Sequence, residues 1–159
     1  LRFQDVRGRL LRHVAGFGFG LVLAFGVEIV FDHDAARDIG VRRAGDEHRA
    51  VILQRERLGS TGVGNGIAIP HGKLAGVDKI VGVFARLEHP VDFEALDDQP
   101  VDLVFMLLAP EGAGADHLKA LSRIARVMRD SEMVAKLRAT DNAASLHAFL
   151  TEEPESNAA

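Results

Sequence analysis

Residues 60–73 read STGVGNGIAIPHGK, a single histidine wrapped in small residues. Gly62, Gly64 and Gly66, with Gly59 just upstream, leave the backbone free to turn sharply and to present N–H groups with no Cβ in the way. Loops of that kind cradle anions, so something small and negatively charged is expected to reach His71. Two phosphate-binding patterns nevertheless fail. A P-loop would need glycine where Ile67 stands, and Ser or Thr where Leu74 follows Lys73. The dinucleotide fingerprint opened by Gly62 and Gly64 would need its third glycine at Ile67 as well. Nucleotide binding loses its support, and the residue left to carry chemistry is His71. A neutral imidazole keeps a lone pair for attack on phosphorus when its other nitrogen is held by a hydrogen bond. Around it Ser60 and Thr61 offer hydroxyls, Gly62 and its neighbours offer N–H donors, and Arg55 or Arg57 offers a guanidinium one helical turn ahead of the loop.

Outward from this stretch the chain alternates strand and helix signals. VILQRERLGS reads as the end of a helix that stops at Gly59. GIAIPH is a short apolar strand expected to stop at Pro70, and KIVGVFARLEHPVDF alternates Ile80, Val83, Ala85 and Leu87 with exposed positions until Pro90 breaks it. PVDLVFMLLAP is a continuous apolar run of strand length, suited to a central strand covered on both faces. Next, AGADHLKALSRIARVMRD predicts an amphipathic helix with Asp116 as N-cap and Leu118, Leu121, Ile124, Ala125 and Met128 on the inner face. SEMVAKLRAT turns Val134 and Leu137 inward, NAASLHAFL is a last short helix, and TEEPESNAA is a solvated tail. This order predicts an α/β fold, a mixed central β-sheet flanked by helices on both faces.

Composition sets the outer limits. The chain has 159 residues with 47% hydrophobic residues, enough for one domain with its own core. Nineteen Lys plus Arg against 23 Asp plus Glu give a net charge of -4, so no general attraction to nucleic acid or anionic lipid is expected. The absence of cysteine excludes disulfides, thiolate nucleophiles and Cys-type zinc sites, and points to a cytoplasmic home. His13, His33, His48, His89 and His147 are scattered without paired ligand spacing, so no metal is expected, and Met106, Met128 and Met133 read as core filler.

Residues 1–50 differ in texture from residues 51–150. They contain no Ser, Thr, Asn, Pro or Lys, which removes most cap and turn residues at once. The apolar run Val14–Val27 follows the basic RGRLLRH, yet it is short for a bilayer and interrupted by Gly16, Gly18, Gly20 and Gly26, so a buried segment is favoured over stable membrane insertion. The bias toward Arg, Gly, Val, Ala, Leu, Asp and His is that of a G+C-rich gene read in an altered frame restored near Ala50. The expected organisation is thus an anomalous segment over 1–50, a domain over 51–150 and a tail over 151–159.

RERLGSTGVGNGIAIPHGKL, then HPVDFEALDDQPVDLVFMLLAP and the His-Leu-x-x-Leu helix at His117, resemble the IIA component of the nitrogen-related phosphotransferase system, within the fructose and mannitol type of IIA domains. The resemblance covers about residues 51–150. It implies the IIA sandwich fold, His71 as the phosphorylated histidine, Arg55 as the arginine beside it, His117 as the second active-site histidine, and Ser60, Thr61 and Gly62 around the phosphoryl group. No cofactor is implied. The implied donor is an HPr-like phosphocarrier protein, and the implied targets are nitrogen- and potassium-linked proteins such as sensor kinases or potassium transporters. Two other readings stand beside it: a sugar-transport IIA that hands phosphate to a IIB domain, and a non-enzymatic binding module on the same fold. The intact Gly-Asn-Gly-Ile-Ala-Ile-Pro-His block and the free-standing length favour the nitrogen branch. The plainer alternatives are that His117 is a surface residue at a helix start and that Arg55 is a charge solvating a helix end.

Overall fold

The computed structural model of the chain describes residues 21–23 and 50–151. In chain order the strands are β1 (Leu21–Leu23), β2 (Gly62–Gly64), β3 (Ile67–Ala68), β4 (His71–Leu74), β5 (Val81–Val91) and β6 (Val101–Pro110). The helices are α1 (50–57), α2 (Gly114–Val127), α3 (Ser131–Ala139) and α4 (Ala143–Thr151). The long apolar run is β6, and it is central. On one edge it takes β5 antiparallel, with Val83 opposite Met106 and Phe84 opposite Phe105. Its other edge takes two short strands in succession, both parallel, with Ile67 opposite Leu103 and His71 opposite Leu107. Antiparallel additions of β2 to β3 and β1 to β5 complete a mixed sheet.

Alternation along β6 decides which side each layer occupies. Phe105 and Leu107 join Ile67 and Phe84 under the buried residues of α2, α3 and α4, among them Ile124 and Leu137. Val104 turns the other way, toward Ala68, Ala85, Phe93 and Ala95, so the chain after β5 folds back beneath the sheet. The same register places α1. His71 shares a side with its partner Leu107, so Gly72 faces the opposite side, where a Cβ on it would lie 3.0 Å from both Ile52 Cδ1 and Val51 Cγ1 of α1. Helices therefore cover both faces, as the sequence predicts. Each fully buried Phe or Leu in these layers contributes roughly 1.5–3 kcal/mol.

Four details differ from the sequence-based expectations. Pro70 splits a strand instead of stopping it: its missing N–H falls at the break between β3 and β4, while its carbonyl accepts the Leu107 N–H at 2.9 Å. Pro90 lies inside β5, in the stretch between Arg86 and Val91 where the register shifts, so the ladder asks no N–H of it. The face of β5 opposite Val83 and Ala85 is buried at Gly82 and Phe84, with Phe84 among the most buried side chains, and exposed only from Arg86. Finally, α2 begins at Gly114 after Ala113, because a turn closed by Ala113 N–H on the Pro110 carbonyl brings the chain into the helix early. Asp116 is thus a first-turn acid near the positive end of the helix dipole, pairing with Lys119, and Leu118 points to solvent while His117 takes the buried face.

The readings made for residues 1–50 lie outside the described residues except at Leu21–Leu23 and residue 50, and the tail is described only at residue 151. No helix among the described residues is long and apolar enough to cross a membrane.

Gly62 is a point of close approach: a Cβ on it would lie 2.7 Å from the Ala95 Cα, a backbone atom that cannot swing aside. Gly62→Ala should cost about 1–3 kcal/mol in urea unfolding. At Gly112 an added Cβ meets nothing within 4 Å. Gly112→Ala should therefore change stability by less than about 0.5 kcal/mol.

Candidate functional site

The site forms where the β2–β3 hairpin, β4 and the start of α2 converge. The hairpin turns on Asn65 and Gly66, with φ of 54° and 73°, the left-handed pair that a two-residue connection requires. It is held from two sides. Asp97 accepts the Asn65 N–H at 2.8 Å, a bond that holds the Asp97 carboxyl below its ordinary range. Arg138 donates to the Asn65 carbonyl at 2.6 Å and grips Asp102 with two bonds of 2.7 Å, which raises the guanidinium above its ordinary value.

From this fixed hairpin the chain returns through Ile69 and Pro70 to His71, which is half-buried. The His71 Nδ1 lies 2.9 Å from the Ile69 carbonyl oxygen. A carbonyl only accepts, so Nδ1 carries the proton, and in the neutral ring the lone pair sits on Nε2. The His117 ring on α2 lies with its centroid 5.8 Å from that of His71, tilted by 46°. His117 is buried, and its Nδ1 has no hydrogen-bond partner. Burial first, and then the positive charges of His71 and Lys73, push the His117 imidazole below its ordinary value. Lys73 stands two residues beyond His71 on β4 and so projects to the same side, exposed.

The remaining residues singled out in the sequence are near in the chain but differently employed. Ser60 Oγ donates to the Phe93 carbonyl at 2.9 Å and accepts the Gly62 N–H at 3.1 Å. Thr61 donates its N–H to Glu56 Oε2 at 3.0 Å and its hydroxyl to Glu56 Oε1. The Ser60 hydroxyl, both donors of Thr61 and the Gly62 N–H are thus directed at protein acceptors. Arg55, half-buried on the last turn of α1, donates to the Gly59 carbonyl at 3.2 Å and makes no hydrogen bond to His71 or His117. Arg57 is exposed.

One residue escaped the sequence reading. Glu56 is 3% exposed, with its carboxylate turned onto Thr61. Its place between Arg55 and Arg57 makes it look like part of a solvated charge run. The signal was its spacing: it follows Ile52 by four, which puts it on the helix face that Ile52 buries.

His117 sets a pH dependence whose sign follows from its depressed folded value. Between that value and the ordinary value of 6.5, the unfolded chain binds more protons than the folded one, so stability is full above 6.5 and falls as pH drops below it. His117→Gln should flatten the pH dependence of the urea midpoint in that window, measured at constant ionic strength. An unchanged slope would show that other groups set it.

Residues 33–153 match the family described as Phosphoenolpyruvate-dependent sugar phosphotransferase system, EIIA 2. The chain is 60% identical over 113 residues to a nitrogen regulatory protein of Bradyrhizobium diazoefficiens, covering 69% of this chain and 74% of that one. A nitrogen regulatory protein of Klebsiella oxytoca is 48% identical over 109 residues, covering 68% and 67%. Among solved structures, the nitrogen regulatory protein IIA-Ntr from Neisseria meningitidis superposes with a TM-score of 0.65 at 42% identity, over 67% of this chain and 73% of that one. The IIA mannitol protein from Escherichia coli shares the fold, with a TM-score of 0.57 at 24% identity over 70% and 81%. With its mixed sheet, its helices on both faces and its Ile-Pro-His block leading into β4, this chain belongs to the EIIA 2 family of the phosphoenolpyruvate-dependent sugar phosphotransferase system.

Proposed function

We propose that the chain is a cytoplasmic phosphoryl carrier that takes a phosphoryl group on Nε2 of His71 from an HPr-like phosphocarrier and signals to nitrogen- or potassium-linked protein targets through its phosphorylation state. The observation that carries this reading is the bond from His71 Nδ1 to the Ile69 carbonyl, which leaves the Nε2 lone pair as the nucleophile. As the Nε2–P bond forms, the donor's P–N bond breaks and its electron pair returns to the donor imidazole. No proton need leave His71. The ring gains positive charge, and its bond to Ile69 becomes charge-assisted and stronger.

His117 supplies a neutral neighbour. A buried N–H without an acceptor costs about 1–3 kcal/mol, so the His117 proton belongs on Nε2, where it can donate to a phosphoryl oxygen. Lys73 brings positive charge to the side of β4 that carries His71, and Arg55 at the end of α1 is the second cation assigned to the phosphoryl group, since phosphoryl transfer depends chiefly on such positioning and charge. Direct contacts from the Ser60 hydroxyl, from Thr61 or from the Gly62 N–H to the phosphoryl group would require these donors to leave Phe93, Glu56 and Ser60. The relatives named as nitrogen regulatory proteins, at 60% and 48% identity, favour the regulatory branch over hand-off to a IIB domain.

Incubation with phosphoenolpyruvate and the general phosphotransferase components should add one acid-labile, base-stable phosphoryl group, and His71→Ala should abolish it. Full labelling of that variant would overturn the assignment. Arg55→Ala and His117→Ala should slow single-turnover labelling by about ten- to a thousandfold with less effect on donor binding. Unchanged rates in both would assign the charge stabilisation to Arg57 and Lys73.

A further inference from the structure

Glu56 is a buried carboxylate that the phosphoryl transfer above does not use, yet it stands at the head of a chain of contacts that ends on His71. Its two oxygens take both donors of Thr61. The Thr61 carbonyl accepts the Ile69 N–H at 3.0 Å, and the Ile69 carbonyl takes His71 Nδ1–H at 2.9 Å. Three links therefore join the carboxylate to the imidazole, each through a residue fixed on both sides. The helix that carries Glu56 touches the histidine strand a second time, because Val51 and Ile52 pack over Gly72. We infer that Glu56 is a positioning residue for His71, which holds the Ile69 carbonyl where it fixes the Nδ1–H tautomer and the direction of the Nε2 lone pair.

The cost of losing this link falls on the reaction more than on the fold. A free imidazole prefers its proton on Nε2, which would bury the lone pair against Ile69 and leave no nucleophile facing out. Only a correctly placed acceptor reverses that preference, and the acceptor is a backbone carbonyl whose position depends on Thr61. The demand grows during transfer, when the ring becomes cationic and the Ile69 bond carries more of the charge.

This inference rests on the phosphoacceptor reading, and the test separates the two. The full chain and its Glu56→Gln and Thr61→Val variants are compared by thermal unfolding, by 15N chemical shifts of the His71 ring in the unphosphorylated protein, and by single-turnover labelling. Glu56→Gln should unfold cooperatively, shift His71 toward the Nε2–H tautomer, and label about 10- to 100-fold more slowly with the apparent donor affinity unchanged. Thr61→Val, which keeps the N–H bond and loses the hydroxyl bond, should move both readouts in the same direction by less. Wild-type ring shifts and labelling rate in Glu56→Gln overturn the inference, as does a variant that only melts earlier. If Glu56→Gln fails to fold, Thr61→Val decides: an unchanged tautomer and rate overturn the proposal. A wild-type protein that takes no label counts against the phosphoacceptor reading, while the ring shifts still decide the role of Glu56.

Discussion

Everything at the site depends on how residues 66–74 lie along β6. The Gly66 carbonyl accepts the N–H groups of both Asp102 and Leu103, Ile67 and Ala68 pair in parallel, and the Pro70 carbonyl then accepts from Leu107 before His71 resumes the pairing. Because a parallel ladder fixes sidedness residue by residue, this one register sends His71 and Lys73 toward α2 and sends Gly72 toward α1. A slip of one residue would exchange them, burying the lysine side and presenting a glycine where the imidazole stands.

The interruption at Ile69 and Pro70 serves the same end. Proline brings no N–H to the ladder, so the strand opens there, and the Ile69 carbonyl is available to a side chain instead of to β6. The side chain that takes it is His71, two residues on. Gly62, squeezed under Ala95, and Ser60, bonded to Phe93, tie the other end of the hairpin to the segment after β5, so the loop that leads to the histidine is anchored before and after.

Much of this was legible in the residues. The apolar run 101–110 could only be a central strand, the helical periods of α3 and α4 stand where the pattern places them, and the small-residue block marked His71. The misreadings share a physical origin. Pro70 and Pro90 signal a missing donor, and whether that ends a strand depends on the neighbouring strand's need at that position, which one segment cannot disclose. Hydrophobic periodicity puts Leu118 on the inner face, whereas the fold buries His117 and exposes the leucine at 62%. Glu56 lay hidden because a carboxylate among arginines is usually solvated, and its acceptors' partner, Thr61, is visible only once the chain has turned back.

The central strand is also the last strand among the described residues. β3 and β4 take their parallel partner from β6, which follows them only after β5 has been made. During synthesis β4 therefore has no partner strand among the described residues until residues 101–110 have left the ribosome, and His117 arrives later still. Nascent chains shorter than this hold an imidazole with neither its strand paired nor its neighbour present. The surroundings of His71 are thus assembled only once the pairing that completes the sheet has been made.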